Sequence, residues 1–246
     1  MVNKKDVIVT LADSNYLQQA KQLFSSVYWN AGWKGDYLLL AHDVPDEELK
    51  WFKEKGILTF NCAPLFDDLI GMGYNPVILD KLYLFSTYFK QWKTIVYLDS
   101  DVIIKGSLNK ILNVKKFSAA DATIKLGNQF YNSNVLSDEI KIKYNLKVKS
   151  FNTGIFVFPT ILIKENTFEE LINLFKRYRK IAKCNEETIL NLYFYKNWLL
   201  LPGVYNYFVS VQMAEDRKFK RMKAIVYHFL KVIGHDEYRP WHCENF

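Results

Sequence analysis

Residues 6–12 (DVIVTLA) form a near-continuous β-branched and aliphatic run, the pattern of a strand covered on both faces in a parallel sheet. Asp13 and Ser14 follow as helix N-caps. From Tyr16 the apolar positions Leu17, Ala20, Leu23, Phe24 and Val27 recur at three- and four-residue spacing, and Gly32 follows the helix end. The alternation then repeats: residues 36–41 read as an apolar strand, Pro45-Asp46-Glu47-Glu48 opens a helix that stops at Gly56, and 57–60 return to strand. A loop with Gly and Pro at 64–76 precedes a predicted helix over 79–89, after which 94–98 reads as a central strand. Further strands are predicted at 154–158 and 224–229, with helices near 168–181 and 186–195. Strands alternating with helices predict an α/β architecture on a mainly parallel sheet flanked by helices. With no internal repeat and no linker, the expectation is a single domain over 1–246.

Composition narrows this without redirecting it. An apolar share of 50% and an aromatic share of 16%, against 10 Gly and 6 Pro, exclude disorder and low-complexity character. No apolar run approaches the roughly 20 residues of a membrane-spanning helix. The first six residues lead directly into strand-like sequence rather than a signal peptide, and Cys62, Cys184 and Cys243 form no CxxC pair, so a reducing, cytoplasmic setting is expected. The formal charge of +7 suits an anionic partner: a nucleotide, a phosphorylated glycan, nucleic acid or an acidic membrane face. The lysines at 141, 143, 147 and 149 and the basic run 217–223 read first as solvated faces, with an anionic acceptor or a peripheral anionic surface as the alternative.

Candidate chemistry gathers at strand ends. In open α/β sheets ligands sit beyond the carboxyl ends of the strands, so Asp13-Ser14 and Asp99-Ser100-Asp101 point to one crevice. An extended period of two would project Asp99 and Asp101 to the same side, where two hard oxygen ligands can meet one divalent cation, while Ser100 faces elsewhere. Two acids in a solvated turn give the same spacing. His228 closes another apolar run and offers an imidazole to the same ion, although a lone strand histidine is also a common core residue. Two carboxylates and one imidazole suit Mn2+, with Mg2+ as the alternative.

The string Val96-Tyr97-Leu98-Asp99-Ser100-Asp101-Val102, with Leu79-Asp80-Lys81-Leu82 ahead of it, is followed by Phe151-Asn152-Thr153-Gly154, Leu201-Pro202, Tyr205-Asn206, His228-Phe229-Leu230 and Arg239-Pro240-Trp241. Collinear over nearly the whole chain, this set resembles glycosyltransferase family 8, and within it the glycogenin branch. The resemblance implies a GT-A fold, a single Rossmann-like domain, a UDP-sugar donor, a manganese-type ion and hexose transfer with retention of configuration. Carried over by position, Leu11, Asp13, Ser14 and Tyr16 would line the nucleoside pocket, Lys81 would sit beside the donor, and Ser100 would lie against the ribose. Asp99, Asp101 and His228 would hold the metal. Asn152 and Thr153 would contact the sugar, Gly234 would belong to the diphosphate loop and Arg239 would touch the diphosphate.

Glu186 and Glu187 stand where the glycogenin pattern has Asp-Gln on the sugar side. Either could steady an oxocarbenium-like centre, or both could simply open the helix that follows. Other departures bear on the substrate. The loop between His228 and Arg239 is longer than the pattern and contains His235, a rival ligand. Met213 stands where glycogenin has the tyrosine that it glucosylates, which argues against self-priming. The expected partners are a UDP-sugar and a glycan or protein hydroxyl, with no specific nucleic acid and with a homodimer left open. The competing readings are an inactive UDP-sugar-binding scaffold, a metal-dependent phosphohydrolase and a basic nucleic-acid-binding protein.

Overall fold

The computed structural model describes residues 4–66, 76–131, 136, 138–209 and 223–229. In chain order the regular elements are β1 (Val7–Ala12), α1 (Leu17–Asn30), β2 (Asp36–His42), α2 (Lys50–Glu54), β3 (Leu58–Cys62), β4 (Thr94–Leu98), β5 (Val102–Ile104), β6 (Phe117–Lys125), α3 (Asp138–Lys143), β7 (Lys149–Pro159), α4 (Thr167–Tyr178), α5 (Asn185–Tyr193), β8 (Trp198–Leu200), β9 (Tyr207–Phe208) and β10 (Val226–His228). Seven strands form one sheet in the order β3-β2-β1-β4-β7-β6-β8, and β5-β10-β9 form a second. In the large sheet β3, β2, β1 and β4 run parallel, β7 runs antiparallel to both β4 and β6, and β8 is parallel to β6. The sheet is mostly parallel, as the β–α alternation predicts.

Burial on both faces explains the unbroken apolar runs. Along β1, Val7, Val9 and Leu11 join a cluster containing Leu38, Tyr97, Leu171 of α4 and Leu190 of α5. Ile8 and Ala12 join the opposite cluster with Leu39, Val96, the apolar stripe of α1 and Phe52 of α2. Neither face of the strand meets water, so no polar alternation survives in the sequence.

Three expectations change. The predicted helix over 79–89 is a pair of 3-10 segments, Pro76–Phe85 and Thr87–Gln91, parted by an extended Ser86. Its residues 79–82 are all buried, so the segment has no solvent face for an amphipathic α-helix to show, and the tighter turn sends the consecutive Asp80 and Lys81 in different directions. The helix opened at Pro45 begins as successive turns and becomes α-helical only at Lys50; Gly56, at a left-handed φ of +70°, ends it as expected. The strand at 154–158 extends over 149–159, which puts Asn152 and Thr153 within β7.

Candidate active site

β1 ends at Ala12 and its parallel neighbour β4 at Leu98, so Asp13 and Asp99 to Asp101 leave the sheet at the same edge. β4 ends at Leu98, and the Asp-Ser-Asp triplet is a turn into β5 rather than a continued strand. The extended period of two is therefore not what brings the carboxylates together. The turn and the antiparallel β5–β10 pairing, which sets His228 opposite Val102, do so. Ligand atoms of Asp99, Asp101 and His228 lie within 4.8 Å of one another, and His228 Nε2 is 3.1 Å from Asp101 Oδ1.

The tautomer of His228 follows from its neighbours. Gly154 N–H donates to Asn152 Oδ1 at 2.9 Å, which fixes the orientation of that amide. Asn152 Oδ1 then accepts from Asn206 Nδ2 at 3.0 Å, which leaves Asn206 Oδ1 to accept from His228 Nδ1 at 2.9 Å. The proton on Nδ1 leaves Nε2 aimed at the carboxylates as a lone pair, the form a metal ligand needs. Burial alone would lower the His228 pKa, but the carboxylate of Asp101 and then that of Asp99 raise it above its ordinary value. Two hard oxygens and one oriented imidazole fit a divalent cation, which would supersede the proton that this field attracts.

Lys81 sits behind the pair. Its buried ammonium lies 2.9 Å from Asp99 Oδ1 and 3.0 Å from Glu186 Oε1, and it donates to the Thr153 carbonyl at 3.3 Å. Burial would depress this lysine, yet Asp99 and Glu186 lift it above its ordinary value, so it stays charged. Burial pushes Asp99 up, and Lys81, followed by His228, pulls it below the usual carboxylate range. Glu187 accepts from Asn152 Nδ2 at 2.9 Å, Thr153 N–H at 3.0 Å and Gln129 Nε2 at 2.8 Å. Burial and then the neighbouring Glu186 nevertheless push its pKa up to about 7. Both acids lie in the first turn of α5, but neither is a mere helix-opening charge, because each is spent on β7 or Lys81.

Comparisons with known proteins place this geometry. The chain matches the profile of glycosyl transferase family 8 over residues 7–245. It belongs to that family. It is 24% identical over 224 residues to the glycosyltransferase GlyF of Streptococcus pneumoniae serotype 4 (strain ATCC BAA-334 / TIGR4), covering 84% of this chain and 50% of that protein. The chain thus spans about half the length of that curated relative. Among solved structures it superposes on an active-site mutant of LgtC with a TM-score of 0.72 at 16% identity, over 96% of this chain and 95% of that one. The galactosyltransferase LgtC in complex with donor and acceptor sugar analogs gives 0.65 at 16% identity, over 96% and 94%. Apo GlyE of S. pneumoniae TIGR4 gives 0.61 at 20% identity, over 93% of this chain and 55% of that chain. The fold is that of the GT-A glycosyltransferases.

In this family-8 chain Asp99, Asp101, His228, Lys81, Asn152, Thr153, Glu186 and Glu187 form one connected site. Leu11, Asp13, Ser14 and Tyr16 stand at the same edge of the sheet, where the Asp13 carboxylate caps a 3-10 turn by accepting from Asn15 N–H. Ser100 is nearly buried within the Asp-Ser-Asp turn. Gly234, His235, Arg239 and Met213 lie outside the described residues. Gln129, which holds Glu187, went unpredicted, and Tyr97, whose hydroxyl donates to Asp99 Oδ1 at 2.8 Å, stood in the motif without a role. Asn206 stood in the motif without a role, and it orients His228. Nearby, the fully buried Asp80 meets His42 Nδ1 at 2.6 Å, a pairing across 38 residues.

Proposed function

We propose that this chain transfers a hexose, glucose or galactose, from a UDP-sugar to a hydroxyl of a glycan or protein acceptor, with retention at the anomeric carbon. In this reading residues 1–246 act as one catalytic domain in the cytoplasm, and Asp99, Asp101 and His228 hold a divalent cation, manganese or magnesium. The observation that carries the reading is the meeting of these three ligands beside a buried, charged Lys81 at the sheet edge of a family-8 chain.

Breaking the sugar–phosphate bond leaves new negative charge on the diphosphate. A bound divalent cation would supply Lewis-acid stabilisation of that charge. Lys81 adds a fixed positive charge that needs no reorganisation during the reaction, and Arg239 with Gly234 completes the diphosphate contacts. Leu11, Asp13, Ser14 and Tyr16 take the nucleoside, and Ser100 takes the ribose. Asn152, Thr153, Glu186 and Glu187 face the sugar, where their hydrogen bonds discriminate among hydroxyl configurations. Two acids in place of the Asp-Gln pattern alter that readout, so the donor need not be glucose.

The test is UDP release from a panel of UDP-sugars with manganese and with EDTA, against Asp101→Ala. Metal-dependent release from one sugar, reduced at least ~100-fold in Asp101→Ala with an unchanged melting curve, is expected. Full activity in Asp101→Ala would overturn the metal assignment. A melting temperature raised by UDP with no release from any sugar would replace transfer by nucleotide binding alone.

A further inference from the structure

We propose that the face carrying α3 docks onto an anionic lipid bilayer. In α3 (DEIKIK) Ile140 is buried at 1% exposure, whereas Ile142 stands 86% exposed between Lys141 and Lys143. Beside it runs a groove of about 440 Å³ whose lining includes Lys141, Lys143, Lys147 and Lys196 and no carboxylate. The ammonium groups of Lys143 and Lys196 lie 5.3 and 5.2 Å from the ring centroids of Tyr144 and Tyr195. Those two rings meet edge to face at 5.1 Å, so both charges rest on one rigid aromatic pair. Among the described residues no carboxylate comes within ion-pair distance of Lys143, Lys147 or Lys196. Glu139, one of the two acids in the first turn of α3, is engaged by Arg177.

Lys143, Lys147 and Lys196, gathered on one face without a carboxylate partner, call for an anionic partner, and the isoleucine beside them decides which kind. A soluble polyanion would satisfy the ammonium groups but leave Ile142 in water. The headgroup region of an anionic bilayer takes both, with the charges at the phosphates and the side chain among the acyl carbons. Lys147 precedes by two residues the start of β7, the strand that carries Asn152 and Thr153. Docking there would present the sugar side of the site to acceptors held at the bilayer. The surface uses none of the site residues and is independent of the donor's identity.

The test is co-sedimentation of the full chain with vesicles of phosphatidylcholine alone or with about one third phosphatidylglycerol. Each lysine at such a surface contributes about fivefold in affinity, so Lys143→Glu with Lys147→Glu and Lys196→Glu should weaken binding to the anionic vesicles roughly a hundredfold or more. Ile142→Ser should weaken it several-fold with no change in charge, and thermal melting checks that both variants fold. Binding to the anionic vesicles alone, lost in the triple lysine variant and weakened several-fold in Ile142→Ser, is the expected result. No vesicle binding, equal binding to neutral vesicles, or full binding by the triple variant would overturn the proposal. Binding to soluble polyphosphate that Ile142→Ser leaves intact, with vesicles ignored, would overturn it in favour of a soluble polyanion.

Discussion

His228 owes its orientation to an amide it does not resemble in sequence or position. Asn206 accepts the Nδ1 proton, and Asn152 in turn holds Asn206, so the imidazole cannot present the wrong nitrogen to the carboxylates. Removing such an outer partner typically weakens metal binding 10–100-fold. Asn206→Ala is expected to lower manganese affinity by about that factor in calorimetric titration while the protein still melts cooperatively; unchanged affinity would deny Asn206 this role. Asp99, Asp101 and His228 were legible because each is a polar residue closing an apolar run. Tyr97 was not, because an aromatic residue inside a buried strand reads as core, and the ring does stack on Phe156 at 4.8 Å while its hydroxyl reaches Asp99. Gln129 and the His42–Asp80 pair leave no periodic trace, since their partners come from distant segments.

Three strands, β4, β7 and β10, converge so tightly at the site that one position between them has no room for a side chain. A Cβ at Gly154 would lie 2.4 Å from His228 Cε1, 2.9 Å from Asn152 Oδ1 and 3.0 Å from Asp99 Oδ2. Gly154→Ala must push His228 off its carboxylates, at a packing cost of roughly 1–3 kcal/mol. Loss of metal-dependent UDP release by at least ~100-fold with a lowered but cooperative melt is expected, and wild-type turnover would show that the strands yield there. The elements that sequence reads well, β1, β2 and β4, are those buried on both faces. Those it misses have physical reasons to be quiet: β6 is broken by register shifts, β5 is three residues long, and β8 is a three-residue edge strand with Leu199 and Leu200 exposed. The 3-10 segment at 76–85 is apolar enough to suggest a helix but is buried on too many sides for the α period to show.

Among the described residues, two buried carboxyls, Asp80 and Glu187, contribute to the pH response near neutrality. Burial pushes Asp80 up to about 6, against the opposing pull of its His42 hydrogen bond, and Glu187 up to about 7. Each binds its proton more tightly in the folded than in the unfolded chain. The stability each adds is fully present below its ordinary value, near 3.8 for Asp80 and 4.5 for Glu187, and is lost as pH rises through about 6 and 7. The melting temperature in EDTA should therefore fall between about pH 4 and 7, and Asp80→Asn combined with Glu187→Gln should flatten the fall; an equally steep decline in the double variant would place its origin elsewhere. Gln129 Oε1 is buried without a partner, so a rotated Gln129 amide can meet the new amide at 187. A different consequence follows from the Asp-Ser-Asp turn. Asp99 directly follows a strand of the large sheet, His228 ends one of the small sheet, and Asp101 lies on the short bend from β4 into β5. An ion held by all three is a clasp between two separately hydrogen-bonded sheets, so a chelator would act on the mechanics of the protein as well as its chemistry, leaving the small sheet held by the core packing of Val102, Ile104 and Val226.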